Sequence, residues 1–147
     1  MKKLGIICLP GLTTFIDMIA DYFSEICHVT KCYSNSLEEV YHTLMNSDVI
    51  WLEWANQMAV QATNIMANSN IGGKQVILRL HSYEALTPQF LQSIRWEVVT
   101  DVVFVSSFIQ DYVIAQLPAQ MSKVRCHVIP NSLDPTKFSV DETKLVT

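Results

Sequence analysis

The feature that most constrains the fold is an alternation between short apolar runs and segments whose apolar residues recur at helical spacing. The runs "LGIICL", "DVIWLEWA", "QVILRL" and "DVVFVS" are nearly continuous, which is typical of strands buried on both faces. In the segments between them, such as residues 15–26, the apolar side chains fall on one face of a helix. Strands and helices alternate about six times, which predicts a doubly wound, mostly parallel Rossmann-like α/β sheet of about six strands with helices on both faces.

Two serines mark the expected starts of helices. Ser36 and Glu39 have the spacing of a capping box, and so do Ser107 and Gln110. In this motif the serine hydroxyl accepts a hydrogen bond from a backbone N–H of the first helical turn. We therefore predict that one helix begins after Ser36 and another after Ser107.

Composition excludes several classes of function. The net charge is −4 and the few lysines and arginines are scattered, which is not the footprint of a nucleic-acid-binding protein. No apolar run reaches the about 18 to 20 residues that a membrane-spanning helix needs. The N-terminal "MKKLGIICLPG" has a short apolar part and no small-residue cleavage site, so it is interpreted as a first strand and not as a signal peptide.

The four cysteines indicate a reduced, cytoplasmic protein. Cys8, Cys27, Cys32 and Cys126 include no C-x-x-C pair, and "CHVTKC" matches no zinc-binding spacing. The cytosol keeps such thiols reduced. We therefore expect neither a bound metal nor a disulfide framework.

Ligands of doubly wound sheets bind beyond the carboxyl ends of the strands, so these ends hold the candidate site residues. After the first strand, "PGLTTF" lacks the G-x-G-x-x-G fingerprint and the chain has no P-loop lysine, which argues against a nucleotide site in this part of the chain. Gly11, Leu12, Thr13 and Thr14 form either a plain turn or a loop in which the two threonines face a polar ligand. Both interpretations stay open.

A carboxylate flanked by tryptophans ends the third strand. Strand geometry puts Trp51 and Glu53 on one face and Leu52 and Trp54 on the other. The preferred interpretation is aromatic packing, with Glu53 at the rim of the sheet. The alternative is a sugar pocket that includes Glu53, because flat apolar rings pack against the C–H faces of sugars.

The end of the fourth strand, "VILRLHSYEAL", carries the strongest candidate. Arg79 and His81 share a face of the strand, and buried charged groups of this kind must find partners or solvent. A lone histidine is usually structural, but His81 lies where this fold places its chemistry. We predict that His81 projects into the cleft and is catalytic, with Arg79, Ser82 and Glu84 binding substrate. Ser106, after the fifth strand, is a further substrate-binding candidate.

The segments "VILRLHSYEA", "DVVFVSSFIQDYVIAQL" and "KVRCHVIPNSLDPTKF" together resemble the N-terminal half of a family 4 glycosyltransferase with the GT-B architecture. Many members of that family have a strand that ends in V-I-P-N-G-V-D, followed after a few residues by phenylalanine. Here the motif runs from Val128 to Asp134, with Ser132 in place of the usual glycine and Phe138 after it. The resemblance covers nearly the whole chain in order, although the first loop lacks the glycine pair that the family often has.

The resemblance implies a retaining transfer of a sugar from a nucleotide diphosphate sugar to a hydroxyl acceptor, without a metal or other cofactor. Residues 1–135 would be the Rossmann-like, acceptor-side domain, and residues 136–147 would begin the linker to an absent donor-binding domain. His81 matches the family histidine that contacts the transferring sugar. Asn131, in the V-I-P-N segment, joins the substrate-binding candidates. The expected partners are a nucleotide sugar and a saccharide, lipid or other hydroxyl acceptor.

Two other classes of function stay open. The chain is alternatively a standalone flavodoxin-like or receiver-like module for binding or signalling, or an interaction protein with a degenerate cleft. A receiver needs paired acids after the first strand and a lysine after the fifth, where "CLPG" and "VSSF" stand instead. A flavin site needs a phosphate loop rich in serine and threonine, for which "PGLTT" is a weak match.

Overall fold

The computed structural model describes residues 2–81 and 88–130, and within these ranges six strands form one sheet. The strands are β1 (Lys3–Ile7), β2 (His28–Cys32), β3 (Val49–Glu53), β4 (Gln75–Leu80), β5 (Asp101–Phe104) and β6 (Arg125–Val128). Every neighbouring pair is parallel, and the order across the sheet is β2-β1-β3-β4-β5-β6. The predicted parallel α/β fold is therefore confirmed.

Helices follow the strands along the described parts of the chain. They are α1 (Ile16–Phe23), α2 (Leu37–Met45), α3 (Gln57–Asn68), α4 (Pro88–Ser93), α5 (Ser107–Gln116) and α6 (Pro118–Met121). A 3₁₀ turn at Trp96–Val98 precedes β5. None of the helices in the described ranges has the length and apolar character that crossing a membrane requires.

The two predicted serine caps have different outcomes. At α2 the prediction is confirmed, because Ser36 Oγ accepts a hydrogen bond from the backbone N–H of Glu39 at 3.4 Å. At α5 it is wrong by one residue: Ser106 Oγ accepts from the backbone N–H of Ile109 at 3.2 Å. Ser106 has the extended backbone that an N-cap requires, whereas Ser107 is already the first helical residue.

The two faces of the sheet have separate hydrophobic clusters, because neighbouring residues of a strand point to opposite faces. On one face Ile7 and Leu52 belong to a large cluster with residues of α2 to α6. On the other face Ile6 and Trp51 cluster with Ile16 of α1. Burial of these side chains is the main source of stability for the fold.

The uneven distribution of helices follows from the strand order. The connection from β1 to β2 runs in one direction across the sheet, and the later connections run in the opposite direction. Since parallel crossovers are almost always right-handed, connections in opposite directions place their helices on opposite faces. Among the described helices α1 alone packs on its face, so the expected layer of helices is incomplete there.

The uncovered part of that face is an apolar groove of about 640 Å³ beside α1. Its lining includes Ile19 and Tyr22 of α1 and Trp51, Ile77 and Val103 of the sheet. None of the candidate residues that lie within 2–81 and 88–130 lines this groove. The groove adjoins the carboxyl-edge site described below only through Trp51 among the described residues.

A buried aspartate joins the amino ends of β4, β5 and β6. Asp101 accepts hydrogen bonds from Gln75 Nε2 at 3.2 Å, Thr100 Oγ1 at 2.8 Å, Arg125 Nη2 at 2.9 Å and His127 Nε2 at 2.9 Å. Desolvation by burial would raise the pKa of Asp101, but these hydrogen bonds outweigh it and hold the pKa well below its usual range. The fold thus stabilises the ionised carboxylate.

Gly5→Ala is expected to destabilise the fold. A Cβ at this position would lie 2.3 Å from Ser47 Oγ and 2.8 Å from Thr43 Cγ2. Both residues come from α2 and the turn after it, which pack closely against β1 here. Overpacking of this kind costs about 1–3 kcal/mol, which urea denaturation measures. The control is Gly72→Ala, where a Cβ meets nothing within 4 Å. Equal unfolding free energies for the two variants would contradict the close packing.

Asp101→Asn is expected to lower the free energy of unfolding at neutral pH and to make that free energy less dependent on pH in the acid range. The native pKa of Asp101 is lowered, so its carboxylate contributes fully to the free energy of unfolding at pH values above its unfolded-state pKa of about 3.9. This contribution is lost as the pH falls from there through the native pKa. Urea denaturation between neutral pH and about pH 3 measures both effects. Asp111→Asn, at an exposed position, is the control. If the free energy of unfolding of Asp101→Asn fell with acid as steeply as that of the wild type, the assignment of this pH dependence to Asp101 would be contradicted.

Candidate functional site

The candidate site lies where the strand order reverses, at the carboxyl ends of β1 and β3. Open parallel sheets bind ligands in the crevice at such a switch point. The loops after these two strands meet there, because Trp54 Nε1 donates a hydrogen bond to the backbone oxygen of Leu12 at 2.8 Å. The thiol of Cys8 donates to the same oxygen at 3.3 Å. His81 joins the site directly after the adjacent strand β4.

Glu53 is at the centre of the site. It is the last residue of β3, and its side chain is fully buried. Oε1 accepts a hydrogen bond from Trp51 Nε1 at 3.1 Å, and Oε2 lies 3.1 Å from His81 Nε2. The Nε of Arg79 is 4.0 Å from Oε1. Trp51 and Arg79 present nitrogen donors, which is the environment that a buried carboxylate requires.

Arg79 is the cationic partner of Glu53 in the neighbouring strand. The register of β3 and β4 places the two residues opposite each other, and both are buried. Burial lowers the pKa of the Arg79 guanidinium, and the Glu53 carboxylate opposes that shift. Because arginine keeps its charge in proteins, the two side chains form an ion pair with little screening by solvent.

The imidazole of His81 packs against two aromatic rings. Its centroid is 3.9 Å from the Trp54 ring, with 30° between the planes, and 5.0 Å from the Phe15 ring, with 32°. His81 is 4% exposed, whereas Phe15 is 37% exposed. The sequence predicted a histidine that projects into an open cleft. The structure instead holds its ring within the wall of the site, with Phe15 on the solvent side of the cluster.

Trp54 has a left-handed backbone, with φ of 78°. This conformation is unfavourable for a bulky residue, and such outliers concentrate at functional sites. The neighbouring chain holds the residue in place, because its backbone N–H donates to the Arg79 oxygen at 3.0 Å and its ring nitrogen donates to Leu12. The strained backbone thus turns the Trp54 ring onto His81.

The face predicted for Trp54 is wrong. Strand alternation would place Trp54 with Leu52, but Leu52 lies in the cluster with α2 to α6, and Trp54 lies with Trp51 in the cluster with α1. The reason is that β3 ends at Glu53, so the left-handed Trp54 no longer follows the alternation. The predicted shared face of Trp51 and Glu53 is confirmed by their hydrogen bond.

Asn56 is a polar residue of the site that the sequence analysis did not single out. It caps α3, and its Oδ1 accepts a hydrogen bond from the backbone N–H of Met58 at 3.0 Å. Its Nδ2 is buried and has no hydrogen-bond partner among the described residues. The N-cap spacing before a helical segment is the signal that would have identified the capping role.

The structure brings three of the predicted site residues together, namely Glu53, Arg79 and His81. Gly11 is exposed with φ of 83°, a conformation that suits glycine, and Leu12 supplies the oxygen that binds the Trp54 ring. The hydroxyl of Ser106 is engaged in capping α5. The remaining candidates are at the start of α1 or outside the described residues: Thr13 and Thr14 precede α1, and Ser82, Glu84 and Asn131 lie outside.

The backbone of the first loop supports the turn interpretation of "PGLTT". The backbone oxygen of Thr13 accepts hydrogen bonds from the N–H groups of Ile16 and Asp17, at 3.2 Å and 3.1 Å, and so begins α1. The side chain of Thr14 is exposed. Contact of either threonine hydroxyl with a ligand stays a prediction.

The side chains of the described ranges form no group of three or more histidine, cysteine or acidic residues that could hold a metal ion. All four cysteines are free thiols. The polar groups that the site presents include a carboxylate, a guanidinium and an imidazole within an aromatic wall. Such a set is suited to binding hydroxyl groups and to stabilising charge.

The chain matches no protein-family model, no curated protein and no solved structure in the comparisons. Inferences about its function therefore rest on the site geometry and on the motifs in the sequence.

Cys8 is expected to resist a thiol reagent in the native protein, whereas the partly exposed Cys27 reacts. Burial raises the pKa of the Cys8 thiol to about 12, and the charge of Glu53 adds to the shift, so almost no reactive thiolate forms. Maleimide labelling followed by peptide mass spectrometry measures the two rates, and urea should make Cys8 reactive. Native labelling of Cys8 as fast as that of Cys27 would exclude this environment.

Proposed function

We propose that this chain is the acceptor-side half of a retaining glycosyltransferase, which moves a sugar from a nucleotide diphosphate sugar to a hydroxyl acceptor. The observation that carries the proposal is the buried Glu53–His81 pair beside aromatic rings at the carboxyl edge of the sheet. The resemblance of "VILRLHSYEA" and "KVRCHVIPNSLDPTKF" to family 4 glycosyltransferases supports it from the sequence.

The chemistry of the site suits a sugar better than a nucleotide. Aromatic rings pack against the C–H faces of a sugar, and the exposed part of Phe15 offers such a surface. His81 supplies a polar atom for a sugar hydroxyl. The loop after β1 has no glycine-rich cradle, so in this proposal a second, donor-binding domain holds the diphosphate.

In the proposed reaction the bond between the anomeric carbon and the diphosphate oxygen breaks as the bond to the acceptor oxygen forms, and the departing diphosphate takes up the proton that the acceptor hydroxyl loses. His81 contacts the transferring sugar and stabilises it as this bond breaks. Interactions that strengthen in the transition state raise kcat, whereas those present equally in the ground state change KM. Arg79 and Glu53 hold the polar wall of the site in place from neighbouring strands.

A cytoplasmic location accompanies this proposal. The four free cysteines fit a reducing compartment, where nucleotide sugars are the expected donors. We expect a nucleotide sugar and a hydroxyl acceptor as partners, and no nucleic acid, because the net charge is −4.

The strand order favours a second candidate, a standalone flavodoxin-like binding or signalling module. The order β2-β1-β3-β4-β5 is that of flavodoxin-like folds, in which the ligand binds at the β1/β3 switch point. Titration calorimetry of the chain with nucleotide diphosphates and flavin mononucleotide separates the candidates. We expect no binding, and micromolar affinity, about −8 kcal/mol, would favour the second candidate.

His81→Ala is expected to lower kcat about 100- to 1,000-fold in a protein that joins this chain to its donor-binding domain, because one well-placed group contributes about that much. The measurement is steady-state transfer from a panel of nucleotide sugars. Since His81 is buried and stacked, the variant should also lose thermal stability, which a histidine that merely projects into the cleft would not.

A matched variant separates the two effects. Val113→Ala removes methyl groups from a fully buried position in α5, and so lowers stability without touching the site. Its folded fraction should retain the wild-type kcat. Near-normal kcat in the folded fraction of His81→Ala would reject the proposed role of His81 in transfer.

A further inference from the structure

We infer that Glu53 is a positioning residue that holds neutral His81 in one tautomer and leaves the Nδ1 lone pair to accept a hydrogen bond from a substrate hydroxyl. The tautomer is inferred from the hydrogen-bond partners of Glu53, independently of the proposed function. The identity of the hydroxyl, on the transferred sugar or the acceptor, rests on the proposed function.

The hydrogen-bond partners of Glu53 indicate whether the hydrogen between Glu53 and His81 lies on the carboxylate or on the imidazole. Trp51 Nε1 is a donor only, and Arg79 presents donors only, so both favour an ionised carboxylate. An ionised carboxylate is an acceptor only. The 3.1 Å contact between Glu53 Oε2 and His81 Nε2 therefore requires the hydrogen on Nε2.

Nδ1 is the nitrogen left for a substrate. In neutral imidazole one nitrogen is a donor and the other an acceptor, so a hydrogen on Nε2 makes Nδ1 the acceptor. No hydrogen bond to His81 Nδ1 occurs within residues 2–81 and 88–130. A hydroxyl group can supply one, and sugars and their acceptors both carry hydroxyls.

Two features keep the ring in this orientation. Stacking on Trp54 and contact with Phe15 fix the plane of the imidazole. A ring flip would separate Nε2 from a fully buried carboxylate, which would lose this hydrogen bond. Glu53 thus acts through His81 and does not itself need to touch the substrate.

The tautomer can be measured directly in the 147-residue chain. Long-range ¹H–¹⁵N spectra at about pH 8, where histidine is largely neutral, distinguish the two tautomers by the shifts of the ring nitrogens. His81→Ala identifies the signals of His81 among the four histidines. We expect the hydrogen on Nε2. A hydrogen on Nδ1 in the wild-type protein overturns the inference without any Glu53 variant.

Glu53→Gln tests the cause. The glutamine amide can donate to Nε2, which favours the other tautomer with the hydrogen on Nδ1. Glu53→Asp keeps an acceptor-only carboxylate. If this shorter side chain reaches the imidazole, His81 should retain the hydrogen on Nε2. Asp101→Asn, which removes the carboxylate beside His127, should leave the His81 signals unchanged. An unchanged His81 tautomer in folded Glu53→Gln overturns the positioning role.

Transfer kinetics test the consequence. In the joined two-domain protein Glu53→Gln should lower kcat by at least 100-fold with a smaller change in KM, because the wrong tautomer offers a donor where an acceptor is needed. For comparison, replacing the orienting carboxylate of a serine protease by an amide lowers kcat by about 10⁴. If the tautomer changes and kcat does not, the role of Nδ1 in transfer is overturned. If His81→Ala also retains kcat, the proposed role of His81 in transfer is rejected. If the wild-type joined protein transfers no sugar, the proposed function fails, and the spectra decide the tautomer separately.

Discussion

A fully buried carboxylate at the end of an inner strand determines the arrangement of the carboxyl edge. Removing a carboxylate from water costs several kcal/mol, and nearby donors compensate for this only when their geometry is good. The partners of Glu53 come from strand periodicity: Trp51 lies two residues earlier on the same face, and Arg79 lies opposite in the register of β4. His81 lies two residues beyond Arg79. One charge therefore orders the ends of two strands.

Strand periodicity also explains how much of the site was predictable. Residues two apart share a face as long as the strand continues, so the pairing of Trp51 with Glu53 and of Arg79 with His81 was predictable from the apolar runs. The contact of Glu53 with Arg79 and His81 depends on the order and register of β3 and β4. The rule fails where the strand ends. Trp54 has φ of 78°, and no pattern in "WLEWANQ" signals a left-handed tryptophan. Its contact with His81 depends on the loop after β1, which is distant in sequence, and local patterns do not contain that information.

The same distinction applies to the fold. The alternation of six strands with helices was predictable, because the apolar runs of the four inner strands must be covered from both sides, whereas the edge strands β2 and β6 are largely exposed. The order of the strands is a tertiary property that apolar patterning does not encode. The order in turn places α1 on one face and α2 to α6 on the other, and so produces the open groove. The cap of α5 differs by one residue for a simpler reason, since Ser106 and Ser107 are both good caps and backbone geometry selects the extended one.

Stability and function cannot be separated easily at this site. Removing the carboxylate of Glu53 would break its buried ion pair with the Arg79 guanidinium, and breaking a buried ion pair typically destabilises a fold by about 3–5 kcal/mol. Trp51 has two roles as well, because its ring lines the groove while its Nε1 binds Glu53. Substitutions that preserve shape and change only one donor or acceptor are therefore the informative ones. Glutamine for Glu53 preserves the shape but removes the charge, so it is compared with Glu53→Asp, which keeps the charge; alanine would add a cavity to the loss of the charge and of the tautomer.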